Sequence, residues 1–329
     1  MKKPNIKSIN KQNGVALITA LLVVALASII AVNMTERQQY DIRRLQNILN
    51  NQQAYYYAVG GEAWAKGLLY KDKESDKRNK GTDNLFEDWA QPLPLTLIEN
   101  GSISGEITDL QGLYNINNLF ISKPDDKAEK DRLKQHKLVF NRLLNLLEIE
   151  TTITDAIIDW LDNDVQSSPN GAEDDVYLTK TPAYRTANRM MHNPSELLLV
   201  EGIDAEIFER LKPFICTLPE ITTVNINTAP AEVIASLTSQ LNLEKAGNIV
   251  EDRSTAFDGI KEFIDETRGY AQNKNTYELE ITPLIGVTSQ YFQVKAVVKI
   301  DNINKQLISY MKRNPDNTIN TILRGPGDN

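Results

Sequence analysis

Residues 11–32 read KQNGVALITALLVVALASIIAV, and the fold turns on what this stretch is. From Val15 to Val32 it is an 18-residue apolar run without a charge, close to the shortest length that crosses a bilayer as a helix. A secretory signal has a shorter apolar core and ends in a small-x-small cleavage site. Here the run passes directly into NMTERQQYDIRRLQNILNNQQAYYYAV, residues 33–59, which is polar but suited to a helix. No Pro or Gly interrupts the chain from Val15 to Val59. The pattern predicts one continuous helix from Val15 to about Tyr70, on the order of 80 Å long. An uncleaved signal anchor is the plain alternative reading of the same run.

The flanks orient this helix. Lys2, Lys3, Lys7 and Lys11 precede it without an acid, and a mixed set of Glu36, Arg37, Asp41, Arg43 and Arg44 follows. The positive-inside rule keeps the Lys-rich end in the cytoplasm and sends the remainder across. Beyond the membrane, Ile42, Leu45, Ile48, Leu49, Tyr56, Val59, Ala63 and Trp64 recur at spacings of three or four. That stripe predicts one face buried against a sheet or against other helices.

Composition narrows the function. Charged residues make up 24% of the 329-residue chain and aromatics 7%, which suits a soluble body outside the anchor. The net charge of −8 argues against general binding to nucleic acid or anionic lipid headgroups. The lone cysteine, Cys216, has no partner for an intrachain disulfide and reads as a small buried hydrophobe. No Ser/His/Asp set is apparent, and His136 and His192 are scattered, so no catalytic centre is predicted.

The body divides by pattern. KDKESDKRNKGTDN (71–84) reads as the loop that ends the long helix, and ISGEITDLQGLYNIN (103–117) as two short strands broken at Gly112. Helices are expected in KAEKDRLKQHKLVFNRLLNLLEI and in TDAIIDWL, with Thr154 as its cap. Further short helices should open at Asn193-Pro194, at Asp204 and at Thr228 before Pro230. β character returns in YFQVKAVVKI (291–300), KQLISYMKR and NTINTIL.

A short basic leader ending in Gly14 before an apolar helix resembles the class III signal of type IV pilins and type II secretion pseudopilins. DLQGLYNINNL (109–119), AIIDWLDNDVQSSPNGAEDDVYL (156–178), YRTANRMMHNPSELLLVEGI (184–203) and VNINTAPAEVIASL (224–237) resemble segments of the minor pseudopilin K family, in the family's order. The resemblance implies cleavage by prepilin peptidase between Gly14 and Val15, with methylation of the new N-terminus. Most pilins carry Glu as the fifth mature residue. Thr19 stands there in this chain, and the K class is the one that typically lacks that glutamate. An α+β fold is implied, with a pilin-like N-terminal helix on a small antiparallel sheet and a large all-α insertion.

The expected division is leader 1–14, transmembrane helix 15–32, periplasmic helix 33–70, pilin-like frame 71–120 and 286–329, and inserted helical domain 121–285. The insertion is expected to contain helix-hairpin-helix-like (SAM-like) units. DNA-binding hairpins offer backbone N–H groups to phosphate from a Gly-rich turn. SQLNLEK (239–245) has no glycine, and Gly202 has Glu201 and Asp204 beside it, so these units are read as packing elements. The implied function is the tip of the type II secretion pseudopilus, in the bacterial inner membrane with its body in the periplasm. The implied partners are two smaller minor pseudopilins, the I and J classes. A competence-type or type IV pilus minor pilin that binds DNA is the alternative.

The acidic cluster is the richest local chemistry. Asp155, Asp159 and Asp162 share a helix face in TDAIIDWLDND, and Asp162 and Asp164 sit at the helix C-terminus, where the dipole disfavours anions. The loop VQSSPNGA then returns the chain to Glu173, Asp174 and Asp175. Oxygen-only donors suit Ca²⁺ better than zinc, and Mg²⁺ demands a tighter octahedron. The pattern is no EF-hand, because the obligatory glycine position holds Ser167. A solvated acidic loop, neutralised in part by Arg185 and Arg189, is the other reading. The family resemblance implies structural calcium, with Asp162, Asp164, Glu173, Asp174 and Asp175 as the expected ligands.

Overall fold

A computed structural model describes residues 13–76, 81–253, 255–271 and 273–327. The lysines of the expected leader lie outside them. Helix α1 runs unbroken over Asn13–Asp76, about 95 Å at 1.5 Å per residue. Its apolar first third is exposed throughout. Among the described residues it is the one helix long and apolar enough to cross a membrane.

The face of α1 that meets the sheet differs from the expected stripe. Ala54, Ala58, Ala65 and Leu69 are buried, whereas Tyr56 is 64% and Trp64 46% exposed, and Ile42, Leu45, Ile48 and Leu49 lie outward as well. The reason is steric. At Gly61 a Cβ would stand 3.3 Å from Ile103 Cδ1 and 3.5 Å from Ala296 Cβ. Short side chains let helix and sheet approach this closely, and the larger apolar groups are turned away. Glu62 is the polar member of the buried face. It accepts from Ser309 Oγ and Thr321 Oγ1 (both 2.7 Å) and from Arg324 Nε (2.6 Å). Burial by itself would raise its pKa, but these donors, Arg324 foremost, hold the carboxyl well below the usual range.

The sheet has five antiparallel strands. β1 (Leu93–Ile98) and β2 (Gly101–Asp109) form a hairpin that was not legible as two strands, because Pro94 sits in the first. An edge strand tolerates proline, since one side of its backbone needs no partner. The chain then leaves the sheet at Asp109 and returns only at Tyr291. The intervening elements are β3 (Tyr114–Asn115), α2 (Lys127–Leu146), α3 (Ile153–Leu161), α4 (Asp174–Tyr177), α5 (Ala205–Leu211), β4 (Ile215–Cys216), β5 (Val224–Asn225), α6 (Ala231–Ser236), α7 (Leu243–Glu251), α8 (Ile260–Thr267), α9 (Lys274–Ile281) and β6 (Ile285–Gly286). β7 (Tyr291–Ile300), β8 (Ile303–Arg313) and β9 (Ile319–Pro326) complete the order β1-β2-β7-β8-β9. On β7, alternate residues Phe292, Val294, Ala296, Val298 and Ile300 are buried, the period of a half-covered strand.

The helical block thus begins earlier than residue 121. After one turn of 3-10 helix at Leu110–Gly112, β3 pairs with β4 inside the block and not with the sheet. The block stands at the end of the sheet far from the apolar segment. Asn50 Nδ2 meets Asp301 Oδ2 (2.9 Å) at the near end, and Arg313 meets Asp72 (3.0 Å) and Asp83 at the far end. There the buried Asp109 carboxylate accepts from Gln111 N (2.8 Å), Asn225 Nδ2 (2.9 Å), Thr228 Oγ1 and Ser289 Oγ (both 2.6 Å). Thr228 is therefore a junction residue and not a cap, and Pro230 holds the N-cap of α6. Thr154 likewise lies inside α3 and donates to Asn141 Oδ1 (2.6 Å), with Thr152 at the N-cap.

The block is built twice from one plan. Each copy opens with Asn-Ile-Asn and closes with a strand parallel to its opening strand, β3 with β4 and β5 with β6. Asn117 accepts from Met191 N (2.8 Å) and donates to Met191 O (2.8 Å). Asn227 does the same at Phe257 (2.9 and 3.1 Å). Five residues after each anchor a glutamate reaches back, Glu196 to His192 N (2.6 Å) and Glu262 to Asp258 N (2.7 Å). Pro213 and Pro283 then sit in the short 3-10 turns that lead into β4 and β6. One apolar core runs through both copies, with Arg142 NH1 on Ser236 O (2.9 Å) between them.

Candidate metal centre

The two copies differ most between their second helix and the anchor. In the second copy residues 252–256 make the link. In the first it takes residues 162–190, and these carry the acidic loop. α3 supplies three carboxylates to the loop. Asp155 holds Lys137 Nζ and Asn170 Nδ2 (3.3 Å), and Asp159 Oδ2 accepts from Ser168 N (2.9 Å). A Cβ on Gly171 would fall 1.8 Å from Asp159 Oδ2, so the chain passes this carboxylate only as glycine. Asp162 is the C-cap of α3, and its Oδ1 accepts from Asp164 N (3.2 Å).

Asp162, Asp164 and Glu173 converge. Each offers a carboxylate oxygen, and these atoms lie within 4.8 Å of one another. Glu173 is 3% exposed, and neither of its oxygens has a hydrogen-bond partner; the nearby Thr186 hydroxyl donates to Asp174 instead (3.2 Å). Asp159 Oδ1 is also buried without a partner. Burial, with the Asp162 charge next, pushes the Glu173 pKa up to about 7, and burial pushes that of Asp162 up to about 6. Orphaned buried oxygens among like charges are costly unless a cation completes them. The donor set is oxygen only and fits a hard divalent ion.

Two of the five expected ligands face elsewhere. Asp174 accepts from Arg185 NH1 (2.8 Å) and Thr186 N (3.1 Å), and Asp175 is exposed and accepts from Val176 N (3.0 Å). Arg189 pairs with Glu196 (3.3 Å). The structural reach of Asp159 was not legible as such, since its unpartnered oxygen depends on where Ser168 and Gly171 return.

Comparison with known proteins places this architecture. Two family models, both described as type II secretion system protein K, match residues 112–220 and 224–281, the spans of the two copies. Type II secretion system protein K of Pseudomonas aeruginosa is 36% identical over 325 residues, covering 96% of this chain and 93% of the relative. The protein K of Aeromonas hydrophila is 32% identical over 336 residues, covering 96% and 98%. The chain belongs to the type II secretion system protein K family. It is a minor pseudopilin of that system, a structural part of the secretion apparatus. A chain in the crystal structure of the GspK–GspI–GspJ complex of enterotoxigenic Escherichia coli has the same fold, with a TM-score of 0.74 over 87% of this chain and 100% of that one, at 20% identity.

The two positions expected at the processing site lie in the first turn of α1. Gly14 and Val15 are helical and exposed. Thr19, at the fifth position after Gly14, turns its hydroxyl onto its own helix, donating to Val15 O (3.1 Å) and Ala16 O (3.0 Å).

Proposed function

We propose that this protein K caps the type II secretion pseudopilus, held in the bacterial inner membrane by residues 15–32 until assembly and processed by prepilin peptidase between Gly14 and Val15. The observation that carries the reading is the position of the helical block. It leaves and re-enters the sheet at the end far from the apolar segment, where another subunit would have to stack. Thr19 supports it, since a hydroxyl satisfied within its own helix asks nothing of a neighbour. The exposed large side chains of α1 give two smaller minor pseudopilins of the I and J classes a surface to pack on. The E. coli neighbour was crystallised as such a complex.

Within the block, the two copies serve as helix-hairpin-helix-like packing units and not as DNA readers. Gly202 adopts φ +82°, but Glu201 beside it pairs with Lys180 and Asp204 caps α5. Asp162, Asp164 and Glu173 would hold structural Ca²⁺, which supplies the positive charge that their buried oxygens lack. Co-purification tests the cap reading. The processed chain, expressed with I- and J-class pseudopilins, should leave the membrane fraction in one complex with both. A chain that retains Met1, or that purifies without either partner, removes it.

A further inference from the structure

The acidic loop is wired to a distant hairpin through one tyrosine. Glu173 is the N-cap of α4, and its carbonyl accepts from Val176 N (2.9 Å) and Tyr177 N (3.2 Å). Tyr177 is wholly buried, edge-on to Trp160 at 5.2 Å and beside Tyr184 at 5.3 Å. Its hydroxyl accepts from Glu201 N (3.1 Å), at the turn that leads into α5. Lys180 closes the same corner, 2.6 Å from Glu201 and over the Tyr177 ring.

We propose that the acidic loop is a cation-operated gate: occupancy at Asp162, Asp164 and Glu173 is transmitted by α4 and Tyr177 to the Val200–Ile203 turn, and so sets the order of residues 172–203. This rests on the calcium reading above. Without a cation, the two orphaned oxygens of Glu173 gain most by moving into water. Movement of Glu173 loosens the first turn of α4, a four-residue helix whose N-terminus rests on the Glu173 carbonyl and has no side-chain cap. Tyr177 then leaves Trp160 and releases the Glu201 amide. The second copy has no such route. At the equivalent link, Arg253 binds Asn227 O (2.7 Å) and Ala229 O (2.9 Å), and among the described residues there no buried carboxylate oxygen lacks a partner.

The test is hydrogen exchange on the full processed chain in detergent micelles, with calcium or with chelator, alongside calorimetry of calcium uptake. At free calcium roughly ten times Kd, amides of 174–178 and Glu201 should exchange about tenfold more slowly than in chelator. Amides of 224–286 should not respond. Tyr177→Phe should take up calcium normally, yet Glu201 should no longer report it. If wild-type protein binds calcium and Glu201 exchanges equally in both states, the gate is overturned and the calcium site stands. The gate also falls if the response survives in Tyr177→Phe. Absence of calcium uptake overturns both.

Discussion

The two copies within the helical block are the same solution under different constraints. Both close on a parallel strand pair, both clamp a distant backbone with the second asparagine of Asn-Ile-Asn, and both brace the anchor with a glutamate. The second copy joins its second helix to the anchor with residues 252–256, where Arg253 holds Asn227 O and Ala229 O. The first stretches the link to residues 162–190 and leaves Glu173 and Asp159 oxygens unpaired in its interior. A shared scaffold can thus carry a long acidic link in one copy and a short link in the other, because the asparagine clamp fixes the anchor in the same way in both.

The two copies should lose most stability at their asparagine clamps. Asn117→Ala orphans three buried backbone groups, Met191 N, Met191 O and Leu218 O, and should cost about 4 kcal/mol. Asn227→Ala orphans two and should cost about 3 kcal/mol. Urea unfolding of the processed chain measures both. A cost near zero at either position would show that the clamps are not equivalent.

A histidine pH effect should belong to the first copy, which holds both histidines, His136 and His192. Burial, with Arg132 next, lowers the pKa of His136 from 6.5 to about 4, so the fold holds it neutral. Its contribution is complete above about pH 6.5 and is lost as pH falls toward about 4, because the unfolded chain takes up the proton first. The loss is about 3 kcal/mol at most. His136→Phe, which keeps a ring beside Tyr114, should flatten that part of the melting profile. An unchanged profile would place the acid sensitivity elsewhere.

Chelation should be smaller and equally one-sided. With free calcium about 100-fold above Kd, the site adds about 2.7 kcal/mol, and Asp162→Ala with Asp164→Ala should abolish the calcium-dependent rise in Tm. A calcium response that persists in this double variant would move the ion away from α3.

The two braces should differ least. Glu196 accepts from both His192 N and Asn193 N in a full capping box, whereas Glu262 accepts from Asp258 N. Glu196→Ala should therefore cost about 1–2 kcal/mol and Glu262→Ala about 0.5–1 kcal/mol. The reverse order in thermal melts would mean that the braces are set by their surroundings and not by their hydrogen bonds.

Much of this was legible along the chain, and what was not has a physical cause. The repeated Asn-Ile-Asn is in plain view at 115 and 225, but the acidic loop lengthens one copy and destroys any fixed period. Pro94 hid an edge strand, and Thr154 and Thr228 looked like caps because a cap signal is local while their partners, Asn141 and Asp109, are not. For the metal centre, the sequence showed the carboxylates but not their directions. Asp174 and Asp175 sit next to Glu173, yet one turn of α4 aims them at Arg185 and at solvent.

The sequence by itself determined the features that depend on neighbours in the chain: a continuous helix without a breaker, an apolar run long enough for a bilayer, and an acidic loop after α3. Tertiary structure decided which face of α1 meets the sheet and which carboxylates meet each other. The first follows from how closely Gly61 lets two backbones approach. The second follows from where Gly171 returns the chain past Asp159, a contact no local pattern encodes because its energy exists only when both segments are in place.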